Sequence, residues 1–319
     1  MSHPVDELLT LRDWLRWAVS RFDKAGLFFG HGCDNAWDEA VWLLLHALHL
    51  SPHLPEAQFK TFLDARLTRP EREAAIKLIN ERVEKRIPAA YLTHEAWLGD
   101  YRFYVDERVI VPRSYFAELL AEGLQPWLPD PGSVQRGLDL CTGSGCLAIL
   151  MADTFADARI DAADISPDAL AVARRNVADY GLGERIELIE SDVFSALAGR
   201  RYDLIVSNPP YVTRAAMAAI PAEYRREPEI ALVAGDDGLD VVRRILGGAG
   251  DRLTDEGSLL VEVGHNAALV EEAWPTVPFT WIDAPSGESK IFLLTASEVR
   301  HHFAAPAATS PRRGSAAGR

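Results

Sequence analysis

Residues 137–145 read Gly-Leu-Asp-Leu-Cys-Thr-Gly-Ser-Gly, a short apolar run that passes directly into a glycine-rich turn. The apolar run predicts a strand, and the residues from Cys146 to Phe155 predict the helix that follows it. Gly143 and Gly145 allow the backbone to approach a ligand without a Cβ clash. With Ala148 they match the G-x-G-x-x-G/A spacing of dinucleotide-binding turns. The stretch therefore predicts a parallel α/β unit with a ligand site at the carboxyl end of its strand.

Strand and helix patterns alternate along the chain after this point. Apolar and β-branched runs predict seven strands, at 137–140, 160–165, 186–190, 202–207, 258–263, 279–283 and 291–295. The earlier strands alternate with helices, whereas only a short loop at 284–290 separates the last two. This order predicts an α/β fold with a doubly wound sheet, whose ligand sites lie at the carboxyl ends of the strands.

The first part of the chain has a helical pattern instead. Apolar residues three and four apart predict an amphipathic helix over 5–24, and Thr68-Arg69-Pro70-Glu71 is a capping-box pattern that opens another helix, ending near Arg86. Aromatic and β-branched residues between Trp97 and Val111 predict a β-hairpin. The predicted organisation is a helical domain at 1–87, a hairpin connector at 88–113, an α/β domain at 114–303 and a disordered tail at 304–319.

The charge of the chain limits its partners. The chain carries 33 Lys and Arg against 47 Asp and Glu, a net charge of −14, and most of the acidity lies in residues 96–319. Duplex nucleic acid is an unsuitable partner because that binding depends on neutralising phosphates, whereas a basic protein is electrostatically favoured. Solubility alone explains the charge equally well. The longest apolar runs fall far short of the roughly 20 residues that span a bilayer, so no membrane partner is expected.

The cysteines indicate the compartment. Only Cys33, Cys141 and Cys146 are present, and so sparse and odd a set is typical of a reducing environment, which predicts a cytoplasmic protein. No spacing of cysteine and histidine matches a zinc site, so no metal is expected.

Two acidic residues follow the next two predicted strands. Asp164 ends the second strand, 21 residues after Gly143, where a carboxylate can accept hydrogen bonds from both hydroxyls of a ribose. Asp192 ends the third strand, where an acid can meet an adenine amino group. A helix N-cap is the alternative for Asp164, because Ser166-Pro167 follows it. Three strand-end features in register favour an adenosine ligand, without separating a nicotinamide from a methyl donor.

Asn208-Pro209-Pro210-Tyr211 directly follows the fourth predicted strand. Two consecutive prolines remove two backbone donors, which leaves the carbonyl of Pro209 free to accept from a ligand. Asn208 offers an amide oxygen acceptor and Tyr211 offers a flat ring. Together these residues predict an acceptor-rich clamp for a planar –NH2 group, in preference to a plain proline turn.

These motifs resemble the class I S-adenosylmethionine-dependent methyltransferases that methylate amide or exocyclic amino nitrogens. The resemblance rests on the N-P-P-Y at 208–211 and the D-x-C-T-G-S-G at 139–145, and it covers Ala96 to about Ala296. It implies a Rossmann-like sheet of seven strands. The helical N-terminal region and the hairpin are similar to those of protein-glutamine methyltransferases, which modify translation components. In that family, we expect the helical domain at 1–87 to recognise substrate.

Four stretches resemble the branch of this family that methylates large-subunit ribosomal protein L three. They are AGLFFGHG at 25–32, DNAWDEA at 34–40, VPRS at 111–114 and LCTGSGC at 140–146. The sister branch, which acts on class I release factors, usually has Gly where this chain has Cys141. This departure favours the ribosomal branch and leaves backbone contacts to the cofactor available.

The resemblance implies a cofactor site for S-adenosylmethionine. The residues of the glycine turn would bind the methionine portion and the ribose, namely Cys141, Thr142, Gly143, Ser144 and Gly145. Asp164 would hold the ribose, and Asp192 or Val193 would border the adenine, with Asn208 close to the reacting end.

The resemblance also implies a substrate site at the N-P-P-Y motif. Asn208 and the Pro209 carbonyl would accept hydrogen bonds from a glutamine amide, and Tyr211 would pack over it, with Pro210 completing the motif. An amide nitrogen is a weak nucleophile, so the predicted reaction is in-line transfer in which the clamp places the nitrogen near the methyl carbon. Asn208 acts there as an orienting acceptor and not as a base.

Other functions share some of these motifs. The same chemistry on release factors is the nearest alternative. An adenine amino methyltransferase for nucleic acid would fit the clamp, but it needs a basic groove that the charge of this chain opposes. An adenosine-binding protein without activity leaves the intact N-P-P-Y without a purpose, and so does an NAD-linked oxidoreductase.

Two further groups of polar residues have open interpretations. Glu262 and His265 follow the fifth strand, either as an acid/base pair in the pocket or as an ordinary strand end. Arg225, Arg226, Glu227 and Glu229 lie beyond the N-P-P-Y loop, either shaping a substrate channel or forming a solvated face.

Overall fold

The computed structural model describes residues 3–128 and 130–303, and for residues 288 and 289 it describes the backbone alone. The disordered tail expected at 304–319 lies outside these residues. Across the described ranges, every helix is too short or too polar to cross a bilayer.

The N-terminal part is a bundle of helices. They are α1 Pro4–Glu7, α2 Leu11–Ala25, α3 Ala36–Ala47, α4 Glu56–Phe62, α5 Arg69–Lys85 and α6 Ala89–Thr93. The helix predicted over 5–24 begins later, at Leu11, because Thr10 forms a capping box with Asp13. It ends where Gly26 takes the left-handed conformation at φ +58°. Helix α5 begins as predicted, with the Glu71 carboxylate accepting from the Thr68 backbone N–H at 2.7 Å.

A short antiparallel hairpin follows, formed by β1 Ala96–Leu98 and β2 Tyr101–Phe103. The hairpin is confirmed, but the expectation that it extends to Val111 is wrong. Asp106 turns the chain away from the strand path, because its carboxylate accepts from the Arg108 backbone N–H at 3.1 Å and its carbonyl accepts from the Val109 N–H at 3.1 Å.

The rest of the described chain forms one sheet covered by helices on both faces. Its elements are α7 Phe116–Ala121, β3 Arg136–Leu140, α8 Cys146–Thr154, β4 Arg159–Asp164, α9 Pro167–Asp179, β5 Ile186–Glu190, β6 Tyr202–Ser207, α10 Asp240–Ala249, β7 Leu253–Glu262, α11 Ala267–Ala273, β8 Thr280–Ala284, β9 Gly287–Thr295 and α12 Ala296–Phe303. The strand order is β5-β4-β3-β6-β7-β9-β8, with β9 antiparallel to both of its neighbours. The predicted doubly wound sheet of seven strands is confirmed, whereas helix α12 was not predicted.

The sheet topology determines where a ligand can bind. Strand β3 is central, with β4 on one side and β6 on the other, so the connections leave in opposite directions and open a crevice at the carboxyl ends. Leu140 pairs with Ser207 in the last register of β3 and β6. The glycine turn that begins at Cys141 and the motif that begins at Asn208 therefore meet at one edge of the sheet.

Candidate active site

A cavity of about 730 Å³ lies at this edge of the sheet. Its volume falls within the range that small-molecule and cofactor sites occupy. Nine of the residues singled out from sequence line it, namely Cys141, Gly143, Asp164, Asp192, Val193, Asn208, Pro209, Pro210 and Tyr211. The structure thus brings both predicted halves, the glycine turn and the N-P-P-Y motif, to one cavity.

The glycine turn divides into residues on the cavity wall and residues behind it. Cys141 and Gly143 lie on the wall, with φ of +65° and +54°. Thr142 and Ser144 are buried behind the wall, each at most 4% exposed. Gly145 begins helix α8 at φ +80°, where a Cβ would lie 3.1 Å from the Ala173 Cβ. Thr142, Ser144 and Gly145 therefore hold the shape of the turn from inside the protein.

Asp139 anchors the turn from the last part of strand β3. Its buried carboxylate accepts from the Thr142 hydroxyl at 2.5 Å and from the Ala148 N–H at 2.9 Å. Burial raises the pKa of Asp139 to about 7, against these hydrogen bonds, which lower it. This carboxyl ties the end of the strand to the first turn of α8, which explains why an acid precedes the glycines.

Asp164 lies across the cavity from the motif at 208–211 and contacts the turn directly. One carboxylate oxygen accepts from the Gly143 N–H at 2.8 Å and the other from the Ser166 N–H at 2.9 Å. Burial raises the pKa of Asp164, while these N–H groups act in the opposite direction. The helix N-cap considered for Asp164 is Ser166 instead, whose side chain accepts from the Ala169 N–H.

Asp192 and Val193 border the cavity beyond β5. The Asp192 carboxylate forms an ion pair with Arg244 at 2.7 Å, and this hydrogen bond lowers its pKa. Its side chain is 48% exposed, so the pair lies at the rim. Val193 takes φ +52°, which is rare for a β-branched residue. Arg244 also lines the cavity but was not found from sequence, because a single Arg on an amphipathic helix is typical of a solvated face.

In the N-P-P-Y motif, the Asn208 amide nitrogen donates to the Arg113 carbonyl at 3.2 Å. Its amide oxygen has no hydrogen bond to any residue that the structure describes. The Tyr211 carbonyl accepts from the Asn266 side chain at 2.8 Å, and the ring lies against Gly264, where a Cβ would come within 2.7 Å of it. Burial raises the pKa of Tyr211 to about 12, so this ring stays neutral.

Glu262 and His265 both line the cavity, but they do not form an acid/base pair with each other. The buried Glu262 carboxylate accepts from the Ser114 hydroxyl at 2.5 Å, and burial raises its pKa to about 7. The His265 ring lies edge-on to Tyr211, with ring centroids 5.9 Å apart. Both alternatives of the sequence analysis are therefore too simple, because Glu262 holds a neighbouring segment of the chain.

The residues beyond the motif also divide. Arg225, Arg226 and Glu229 are exposed, while Glu227 is buried and accepts from the Arg113 guanidinium at two distances of 2.6 Å. Burial by itself would raise the pKa of Glu227, but the hydrogen bonds from Arg113 and His31 lower it to about 2. Arg113 and Glu227 are 114 residues apart, so no local pattern in the sequence pairs them.

The helical part of the chain contacts this region through a second buried ion-pair network. Arg82 on α5 donates to Glu39 at 2.6 Å, to Glu223 at 3.2 Å and to the Phe28 carbonyl at 2.8 Å. Glu223 precedes Tyr224, which lines the cavity. The loop after α2 is thus held beside the segment that follows the N-P-P-Y motif.

Comparisons with known proteins agree with this architecture. The profile of the PrmC N-terminal domain matches residues 13–93, and that of the Methyltransferase small domain matches residues 117–223. Among solved structures, the hMettl16 catalytic domain in complex with MAT2A 3′UTR hairpin 1 aligns with a TM-score of 0.48 and 18% identity, covering 74% of this chain and 84% of that one. The fold assignment rests on the sheet itself and not on that alignment.

Curated relatives are much closer. The ribosomal protein uL3 glutamine methyltransferase of Neisseria gonorrhoeae is 55% identical over 93% of this chain and 98% of its own length. The protein of the same name from Bordetella pertussis is 54% identical over 92% of this chain and 97% of its own length. Because uL3 is the large-subunit protein L three, these relatives confirm the branch predicted from sequence over the release-factor branch. The chain belongs to the family of ribosomal protein uL3 glutamine methyltransferases.

Proposed function

We propose that this protein transfers a methyl group from S-adenosylmethionine to the side-chain amide nitrogen of a glutamine in ribosomal protein uL3. The observation that carries the proposal is the set of acceptors at the end of β6. The Asn208 amide oxygen has no protein partner within the described chain, and the Pro209 carbonyl is likewise free of hydrogen bonds there. Acceptors without competing donors suit a substrate that brings N–H groups.

The cavity fits the proposed cofactor. Its wall runs from the glycine turn past Asp164 to Asp192, and then to the motif at 208–211. Each Asp164 oxygen accepts one backbone N–H and keeps a second lone pair for a ribose hydroxyl. Cys141 and Gly143 would contact the ligand through their exposed backbone, with Thr142, Ser144 and Gly145 supporting them. Asp192 and Val193 would border the adenine at the rim.

The chemistry requires positioning more than proton transfer. S-adenosylmethionine supplies a methyl group bound to a positively charged sulfur. A bond forms between the amide nitrogen and the methyl carbon while the carbon–sulfur bond breaks, its electron pair stays on sulfur, and one proton leaves the nitrogen. The two acceptors orient the nitrogen and stabilise the positive charge that develops on it. Tyr211 closes the site over the planar amide.

The remaining roles follow from the partner. We assign substrate recognition to the helical domain at 1–87, joined by the connector at 88–113 to the catalytic domain at 114–303. The network of Arg82, Glu39 and Glu223 supports this assignment because it holds a helical-domain loop beside the cavity. We also infer that the protein acts in the cytoplasm, where uL3 is made, and its three free cysteines are compatible with a reducing compartment.

The proposal is tested by methyl transfer to uL3 purified from cells that lack the activity. Tritiated S-adenosylmethionine is the donor, class I release factors are the parallel substrates, and the labelled residue is mapped by mass spectrometry. Label on a glutamine of uL3, absent with an Asn208→Ala variant, is the expected result. Label on a release factor alone would overturn the substrate, and label on neither would overturn the reaction.

A further inference from the structure

The orientation of the Asn208 amide is the starting point. An asparagine amide has a donor end and an acceptor end, and only the acceptor end can receive the N–H of a substrate amide. The Asn208 nitrogen donates to the Arg113 carbonyl at 3.2 Å, so its oxygen is left for the cavity. A backbone carbonyl only accepts, so it selects one of the two amide orientations. The position of that carbonyl therefore matters to the reaction.

Glu227 holds one side of the segment that carries this carbonyl, residues 111–115. Its carboxylate accepts from the Val111 N–H at 2.9 Å and from both ends of the Arg113 guanidinium at 2.6 Å. The Glu227 residue is 5% exposed. A bidentate ion pair and a backbone hydrogen bond on one buried carboxylate leave the segment little freedom at Arg113.

Glu262 holds the other side of the 111–115 segment. It accepts from the Ser114 hydroxyl at 2.5 Å and from the Tyr115 N–H at 3.2 Å, and it is 3% exposed. Ser207 pairs with Val261 in the parallel register, so Asn208 and Glu262, the next residue of each chain segment, lie side by side. The acid that fixes the segment is thus a neighbour of the amide that the segment orients.

Burying two carboxylates is costly, and a hydrophobic contact would join the segment to the sheet at lower cost. We propose that Glu227 and Glu262 are positioning residues for methyl transfer. They hold the 111–115 segment from both sides, which keeps the Arg113 carbonyl against the Asn208 nitrogen and the Asn208 oxygen towards the substrate amide. The inference rests on the proposed function in one respect, namely that Asn208 acts as the acceptor for the substrate N–H.

Kinetics test the proposal through Glu262. Glu262→Ala is expected to lower kcat about tenfold with KM for uL3 unchanged, because the amide is misoriented while the docking surface stays intact. Glu262→Gln keeps an acceptor for Ser114 and Tyr115, so it should stay within about twofold of wild type. In an Asn208→Ala background, Glu262→Ala should cost less than about twofold more, because its effect acts through Asn208. Equal losses in both backgrounds, or a Gln variant as impaired as the Ala variant, would overturn the proposal.

Two further variants separate positioning from loss of stability. Ser114→Ala removes only one donor to Glu262 and should lower kcat in the same direction without unfolding the protein. Asp161 is a matched control, a buried carboxylate at the amino half of β4 that accepts from the Tyr202 hydroxyl at 2.7 Å. Asp161→Ala should lower the melting temperature and leave kcat unchanged. A fall in kcat that tracks melting temperature across all of these variants would overturn the positioning role.

A second measurement does not depend on activity. The chain has five asparagines, so selective ¹⁵N-asparagine labelling gives five side-chain NH2 groups, and Asn208→Ala identifies the one from Asn208. This resonance should shift in Glu262→Ala and Ser114→Ala but not in Asp161→Ala. An unshifted resonance would overturn the inference even if uL3 is methylated. If uL3 is not methylated, the resonance still reports whether the two acids orient Asn208.

Discussion

The carboxylate of Asp164 accepts a hydrogen bond from the backbone N–H of Gly143 at 2.8 Å, so the acid that ends β4 holds the turn that ends β3. The sequence analysis expected a ribose ligand for Asp164 or a helix N-cap. The structure gives the carboxylate a third partner, the turn itself. Asp164 is therefore placed to influence the cofactor both directly and through the shape of the turn.

We expect Asp164→Ala to weaken binding of S-adenosylhomocysteine by at least about tenfold, because the variant removes a ribose acceptor and the anchor of Gly143. Isothermal titration calorimetry measures the affinity. Asp192→Ala is the control, and a loss of about threefold or less is expected because Asp192 is half-exposed and already paired with Arg244. A larger loss for Asp192 than for Asp164 would contradict the assignment of the ribose.

Asn208→Ala removes the principal orienting acceptor from the substrate site. We expect an increase of about 2 kcal/mol or more in the activation barrier, on the scale of one preorganised polar contact. This corresponds to a loss of about thirtyfold in kcat. Single-turnover methyl transfer to uL3 measures it, and normal turnover by the variant would refute the role of the motif.

Gly264→Ala tests the placement of the Tyr211 ring. Gly264 has φ +55°, and a Cβ there would lie 2.7 Å from the Tyr211 Cε2, so the ring must move. Gly199→Ala is the matched control, since φ is +77° but nothing lies within 4 Å of a Cβ. Both variants carry backbone strain of about 1 kcal/mol. Only Gly264→Ala should reduce kcat, and equal activity of the two variants would mean that the ring position is unimportant.

The pKa of Glu227 predicts a pH-dependent stability. This pKa is about 2 in the folded protein, below its ordinary value of 4.5. A lowered acid pKa stabilises the folded state above pH 4.5, and this contribution is lost as pH falls towards 2. Glu227→Gln should cost about 3 kcal/mol of unfolding free energy at pH 7, because the Arg113 guanidinium loses a buried partner. Urea titrations should show the difference from wild type shrinking below pH 4.5, and a constant difference would contradict the ion pair.

Ile230 tests where the protein substrate docks. Its side chain lines the cavity but is 55% exposed, so it lies at the mouth. We expect Ile230→Asp to raise KM for uL3 several-fold with little change in the affinity for S-adenosylhomocysteine, because an apolar contact at the mouth is replaced by a charge. Leu269→Asp, an equally conservative change at another exposed leucine, is the control. Equal KM values for the two variants would place docking elsewhere.

Local patterns were sufficient for most of the fold and for the position of the site. The strands at 186–190 and 202–207 were predicted residue for residue, because a buried strand of a parallel sheet is an uninterrupted apolar run. The glycine turn and the N-P-P-Y motif each follow a strand, and parallel strands end at the same edge. The sequence thus determined the sheet, the cavity edge and the family, whose residues at 25–32 and 34–40 distinguish its branches.

Only the tertiary structure decided what holds these motifs in place. Arg113 pairs with Glu227 across 114 residues, and Glu262 reaches Ser114 across 148. A charged residue has no periodicity that names its partner, and an isolated Glu on a strand end or a loop is typical of a solvated surface. These acids are buried because a segment from the connector lies over the ends of β6 and β7. That contact exists only once the sheet has formed and the connector has been laid across it.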